Sequence, residues 1–161
     1  MECKNRQNGL HMRPKSPRLA VRAIVVENDR LLMVNAYPDG QSALMCPPGG
    51  GMEAGSSLHD NLIREVFEET GLRVRVGAPC LINEFHDPAV GFHQVDLYFR
   101  CTVAPDSPRP STWTDPEAIV TERRWLTRSE LAATPHKPDS LAEVAFDTGT
   151  IMYDPLELLV R

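Results

Sequence analysis

The chain has 161 residues, 42% of them hydrophobic and 24% charged, values that fit one ordinary globular domain and argue against general disorder. Its formal net charge is -5, from 22 acidic residues against 17 Lys plus Arg. That balance disfavours extended nucleic-acid binding, which needs cations against phosphates. No run approaches about 18 consecutive apolar residues, so no membrane span is expected.

The first segment, MECKNRQNGLHMRPKSPR, is polar and basic with no apolar stretch resembling a secretion signal. Residues 1–18 are expected to be a flexible N-terminal arm, and 19–161 the domain. Cys3, Cys46, Cys80 and Cys101 form no CxxC pair, so neither a zinc site nor a disulfide framework is indicated. Cys80 and Cys101, inside apolar runs, read as buried free thiols. A reducing, cytoplasmic setting follows as the expectation.

LAVRAIVVE at 19–27 and RLLMVNA at 30–36 flank an Asn-Asp pair and predict a β-hairpin. SALMC at 42–46 is a short strand candidate. PPGGG at 47–51 is expected to break it, because proline restricts φ and glycine reaches dihedrals closed to other residues. Residues 57–70 predict a helix with Ser57 as N-cap, Asp60 three positions on, and Gly71 as the stop. Leu58, Leu62, Ile63, Val66, Phe67 and Thr70 fall on its core-facing arc. Residues 73–85 and 92–103 favour strands, with HDPAVG as the loop between them. A longer Pro-, Ser- and Asp-rich connection over 104–118 has Trp113 as its one large apolar anchor. RRWL at 123–126 predicts a strand, and 129–133 and 140–147 predict short helices. The tail LELLV follows Pro155. The order indicates a mixed sheet with helices against it.

The strongest feature is REVFEE, residues 64–69. Helical geometry places Glu65, Glu68 and Glu69 within a sector of about 100°. Three like charges at this spacing repel, and they sit in the last turns, where the helix dipole favours cations. Solvent can screen such a face. A divalent cation would turn it into a site, since Mg2+ prefers carboxylates, water and phosphate oxygens. The preceding glycine loop brings backbone groups near these carboxylates. Arg64 is expected to anchor the loop or a neighbouring carboxylate, with substrate contact as the other role.

Residues 50–72, GGMEAGSSLHDNLIREVFEETGL, resemble the signature of the Nudix hydrolase family. Gly50, Arg64, Glu65, Val66, Glu68, Glu69, Gly71 and Leu72 match its pattern, and Ser56 stands where the pattern has its first Glu. The resemblance implies an α/β fold, an α/β/α sandwich around a mixed β-sheet. It implies Glu65, Glu68, Glu69 and the Gly49 carbonyl as ligands of Mg2+, with Mn2+ as a substitute. Ser56 removes a supportive carboxylate and leaves the ligand group in place.

The same resemblance implies a small-molecule nucleotide substrate, a nucleoside diphosphate linked to another moiety, whose pyrophosphate is attacked in line by water. Glu65 or Glu68 would orient or deprotonate that water, or a later-loop residue, Glu117 or Glu122, would do so. Gly50, His86, Pro88 and Trp113 are candidate substrate contacts. Pro88 lies 16 positions after Leu72, similar to a marker of ADP-ribose-cleaving members, although a loop proline also serves a turn. Nucleoside triphosphates and dinucleoside polyphosphates are the alternative substrates, and a non-catalytic nucleotide-sensing or protein-interaction module is the alternative class. Phe85, Phe92, Tyr98, Trp113 and Trp125 are candidates for a base-stacking surface; Phe92, Tyr98 and Trp125 read as packing first, while Trp113 either caps a nucleotide or seals a loop. A homodimer is expected, because symmetric dimers are the common assembly.

Overall fold

The structure is a computed structural model, and it describes residues 16–38, 40–147 and 149–160. Most of the expected arm therefore lies outside the described residues. Arg18, the last residue assigned to that arm, opens the first strand.

Strand β1 (Arg18–Glu27) turns into β2 (Arg30–Asn35) through Asn28 and Asp29 alone. Both turn residues have positive φ, 49° and 57°. This is the twist of a type I′ hairpin, and short polar side chains tolerate it. A two-residue strand β3 (Met45–Cys46) pairs with β2.

The glycine run departs from the expected break. Gly49–Gly51 forms strand β4, antiparallel to β1, with Gly49 opposite Arg22 and Gly51 opposite Ala20. Gly49 has φ +148, and a Cβ there would meet the Val21 carbonyl oxygen at 2.0 Å. Only glycine lets the two backbones approach so closely.

Helix α1 (Leu58–Thr70) begins where Ser57 Oγ accepts the Asp60 N–H, and it ends at Gly71 with φ 73. Leu62, Val66 and Thr70 are buried, whereas Ile63 is exposed at the margin of the arc. Two long strands follow, β5 (Val74–Asp87) and β6 (Phe92–Val103), antiparallel to each other. β5 runs two residues further than expected, shortening the loop. β6 lies parallel to β1, which makes the sheet mixed. β7 (Arg123–Leu126) pairs with β2. Helices α2 (Arg128–Ala132) and α3 (Leu141–Phe146) follow. The tail adds β8 (Met152–Tyr153) and β9 (Glu157–Leu158), both parallel to β5.

The two faces of the sheet carry separate cores. Val21, Ala23, Val25, Phe99 and Cys101 pack with Leu62 and Val66 of α1. Ile24, Met33, Leu81, Tyr98 and Leu126 pack with Leu131 of α2 and Leu141 and Val144 of α3. Helices thus cover both faces, as an α/β/α sandwich requires. Cys80 and Cys101 are buried free thiols, as expected. Among the described residues no helix is long and apolar enough to cross a membrane.

Candidate functional site

Helix α1 and strand β4 meet where β1 holds them both. Gly49 donates its N–H to Glu69 Oε2 at 2.8 Å, while its carbonyl accepts from Arg22 Nη1 at 2.9 Å. One peptide segment is thereby gripped between a carboxylate of α1 and a guanidinium of β1. Gly50 lies against the next carboxylate: a Cβ there would come within 2.2 Å of Glu65 Oε2. The missing side chain is what makes room for Glu65.

The three glutamates differ in their partners. Arg64 Nη2 meets Glu65 Oε1 at 2.7 Å and Arg64 Nη1 meets Glu68 Oε2 at 2.9 Å. Glu53 adds a third carboxylate to Arg64 at 3.4 Å. Arg64 thus supports neighbouring carboxylates. Among the described residues no three His, Cys, Asp or Glu side chains converge closely enough to hold an ion. The reason is local: Arg64 draws Glu65 and Glu68 to itself, and the Gly49 amide draws Glu69 inward.

Burial sets the electrostatics. It pushes Glu69 up to about 7, against the pull of Arg22 and the Gly49 N–H, and Glu65 and Asp115 push the same way. Burial also raises Glu65, opposed by Arg64 and reinforced by Glu68 and Glu117. Burial works against the Arg22 charge, yet Asp96, Cys46, Tyr98 and Glu69 hold it above the ordinary arginine range. Arg22 Nε reaches Asp96 Oδ2 at 3.3 Å.

The loop over 115–122 carries the two later candidates. Asp115 is buried and its carboxylate accepts the backbone N–H groups of Glu117, Ile119 and Val120. Asn35, also buried, donates to the carbonyls of Tyr37 and Ile119 and accepts from the N–H groups of Thr121 and Glu122. These two side chains fold the loop onto β2. Glu117 is brought near enough that its charge acts on Glu65. Glu122 is more than half exposed, 3.8 Å from Arg124, and borders the hollow that Glu69 lines. Sequence reading missed Asn35 and Asp115, because a lone Asn ending a strand and a lone Asp in a polar loop carry no spacing signal.

Trp113 seals the loop. Its Nε1 donates to the Glu68 carbonyl at 2.7 Å and its ring meets Phe67 edge-on at 5.3 Å. It still borders a hollow with Glu69, Val120 and Glu122. His86 pairs with His93 across β5 and β6, and Pro88 is exposed in the turn beyond. Neither is among the residues lining the hollow that Glu69 borders.

The NUDIX domain matches residues 16–145, most of the chain. The chain belongs to the Nudix family. It is 28% identical over 127 residues to the mouse (Mus musculus) protein named nucleoside diphosphate-linked moiety X motif 6, covering 79% of this chain and 37% of that protein. It is 32% identical over 115 residues to a MutT-like protein of Streptomyces ambofaciens, covering 71% of this chain and 66% of that one. The chain spans only 37% and 36% of the mouse and human relatives it matches. A NUDIX hydrolase from Nitrosomonas europaea shares the fold with TM-score 0.66 at 16% identity, over 90% of this chain and 81% of that one.

Proposed function

We propose that this Nudix chain hydrolyses the pyrophosphate of a nucleoside diphosphate linked to a second moiety, with a divalent metal ion as cofactor. The observation that carries the reading is Glu69, a carboxylate held on the Gly49 amide at 2.8 Å, coupled to Glu65, and lining a hollow with Trp113 and Glu122. The name of the mouse relative supports the substrate class, and the Pro88 spacing favours ADP-ribose or another nucleotide sugar within it.

The residues suit a hard cation. Glu65, Glu68, Glu69 and the Gly49 carbonyl are all oxygen donors, the set that Mg2+ or Mn2+ takes. The missing Cβ at Gly50 leaves space against Glu65. A bound ion supplies charge neutralisation on the phosphates and lowers the pKa of water.

The chain's own residues do the rest. Arg64 keeps Glu65 and Glu68 oriented. Arg22 fixes the Gly49 carbonyl from behind. Glu117 takes the proton of the attacking water as the new O–P bond forms. The bridging P–O bond breaks, and its electron pair leaves on the departing phosphoryl oxygen.

A panel of ADP-ribose, other nucleotide sugars, deoxynucleoside triphosphates and dinucleoside polyphosphates, each with Mg2+, Mn2+ or chelator, tests this. Metal-dependent release of a nucleoside monophosphate from a nucleotide sugar is expected. Glu69→Gln is expected to lower it about 10²-fold or more. Binding across the panel without turnover would instead mark a sensing module.

A further inference from the structure

On the sheet face opposite α1, the packed apolar core gives way to polar side chains. Alternation along β6 puts Tyr98, Asp96, Gln94 and Phe92 on this face in succession. The strand register aligns them with neighbours in rows: Leu81, Tyr98 and Arg22; Asn83, Asp96 and Ala20; Phe85, Gln94 and Arg18. Only the first row joins the apolar core. Asn83, Gln94 and Asp96 are 3%, 2% and 2% exposed, so they are as buried as core leucines. Burying amides and a carboxylate in mid-sheet costs free energy unless each is bonded.

Asp96 is fully engaged, accepting Arg22 Nε on one oxygen and Gln94 Nε2 on the other, the latter at 2.6 Å. Asn83 donates Nδ2 to Asp154 at 3.3 Å. Each amide is thus oriented by a carboxylate, which only an N–H can satisfy. Neither amide oxygen receives a donor among the described residues. Two oriented acceptors are left over.

Both amides line a hollow of about 230 Å³. That is small against typical ligand sites of about 300–1,000 Å³, and it suits a base rather than a whole dinucleotide. Phe85 and Phe92, ring centroids 6.1 Å apart, form an aromatic lip. The tail over 157–160 walls the hollow from the other side. Arg22, also in its lining, donates to the Gly49 carbonyl, so the hollow abuts the carboxylate site.

We infer that this hollow holds the base of the nucleotide and selects bases bearing an exocyclic amino group, with Gln94 Oε1 and Asn83 Oδ1 as acceptors. The inference rests on the hydrolase reading for its setting and on the amide orientation for its selectivity. An amino group donates to these oxygens. The carbonyl that replaces it in hypoxanthine or uracil sets a third acceptor at the amino position, and the remaining donor on that edge, the ring N–H, lies one atom away and can serve only one of the two oxygens from there. A site built around hydrogen bonds rejects the analogue lacking them more strongly than an apolar pocket rejects a change of shape.

The test is calorimetric titration of the intact chain with AMP against IMP and with CMP against UMP, pairs that exchange the amino group for a carbonyl. These monophosphates contain no pyrophosphate, so binding is read without turnover. AMP and CMP are expected to bind about tenfold or more tightly than their partners. Gln94→Met, which keeps the length and removes the acceptor, is expected to shrink that ratio to about threefold or less. Equal affinities within both wild-type pairs, a preference for IMP and UMP, or no saturable binding of any of the four would overturn the inference. The wild-type comparison decides it even where Gln94→Met does not fold. An amino preference in a chain that hydrolyses nothing would sink the hydrolase reading alone. Hydrolysis with no base preference would sink only the inference.

Discussion

Replacing Glu69 with Gln removes a charge that the fold is built to resist. Burial is the main reason the Glu69 carboxyl lies near 7 rather than at 4.5. A group whose proton is held more tightly in the folded state contributes stability below its unfolded pKa and loses that contribution as pH rises through its folded pKa. For Glu69 the loss begins near pH 4.5 and is complete above about 7, and it amounts to about 3 kcal/mol. Gln keeps an oxygen for the Gly49 N–H and never ionises. The metal-free Glu69→Gln protein should therefore match wild type near pH 4.5 and exceed it by about 3 kcal/mol at pH 8. For a chain of this size that is a rise in Tm of about 6–12 °C. Thermal unfolding in chelator across pH 4.5 to 8.5 measures it. Adding Mg2+ should raise the wild-type Tm and narrow the gap, because an ion that binds only the folded state stabilises it. A stability difference that does not change with pH, or a variant no more stable at pH 8, would refute the claim that Glu69 is desolvated against the glycine strand.

Gly50→Ala puts a methyl group where Glu65 Oε2 now lies, 2.2 Å from the new carbon. The displaced carboxylate should lower kcat about 10²-fold, read in the substrate panel. Glu117→Gln should lower kcat about 10²-fold with KM little changed, whereas Glu122→Gln, on a side chain more than half exposed, should stay within about twofold of wild type. Asn35→Leu leaves the Thr121 and Glu122 N–H groups without their acceptor. It should cost about 2–4 kcal/mol in urea unfolding and open the 115–122 loop to proteolysis.

Local chemistry determined much of this protein before any tertiary contact was known. The α1 boundaries follow from Ser57 and Gly71, the REVFEE spacing from helical periodicity, and β7 from RRWL, since each is decided by residues within a few positions of one another. Tertiary structure decided the rest. Gly49–Gly51 became a strand because β1 supplied a partner backbone that glycine alone can approach. Arg64 divided the carboxylates that spacing had grouped, because its guanidinium bridges two of them while the Gly49 amide takes the third. Asn35 and Asp115 gained their importance from hydrogen bonds to a loop, those of Asn35 reaching across more than 80 positions of sequence. Gln94 and Asp96 carried no signal of their own in a strand that also holds His93, Arg100 and Thr102. Only the register of β1, β5 and β6 set them beside Asn83 and Arg22, because which side chains share a floor depends on how strands align.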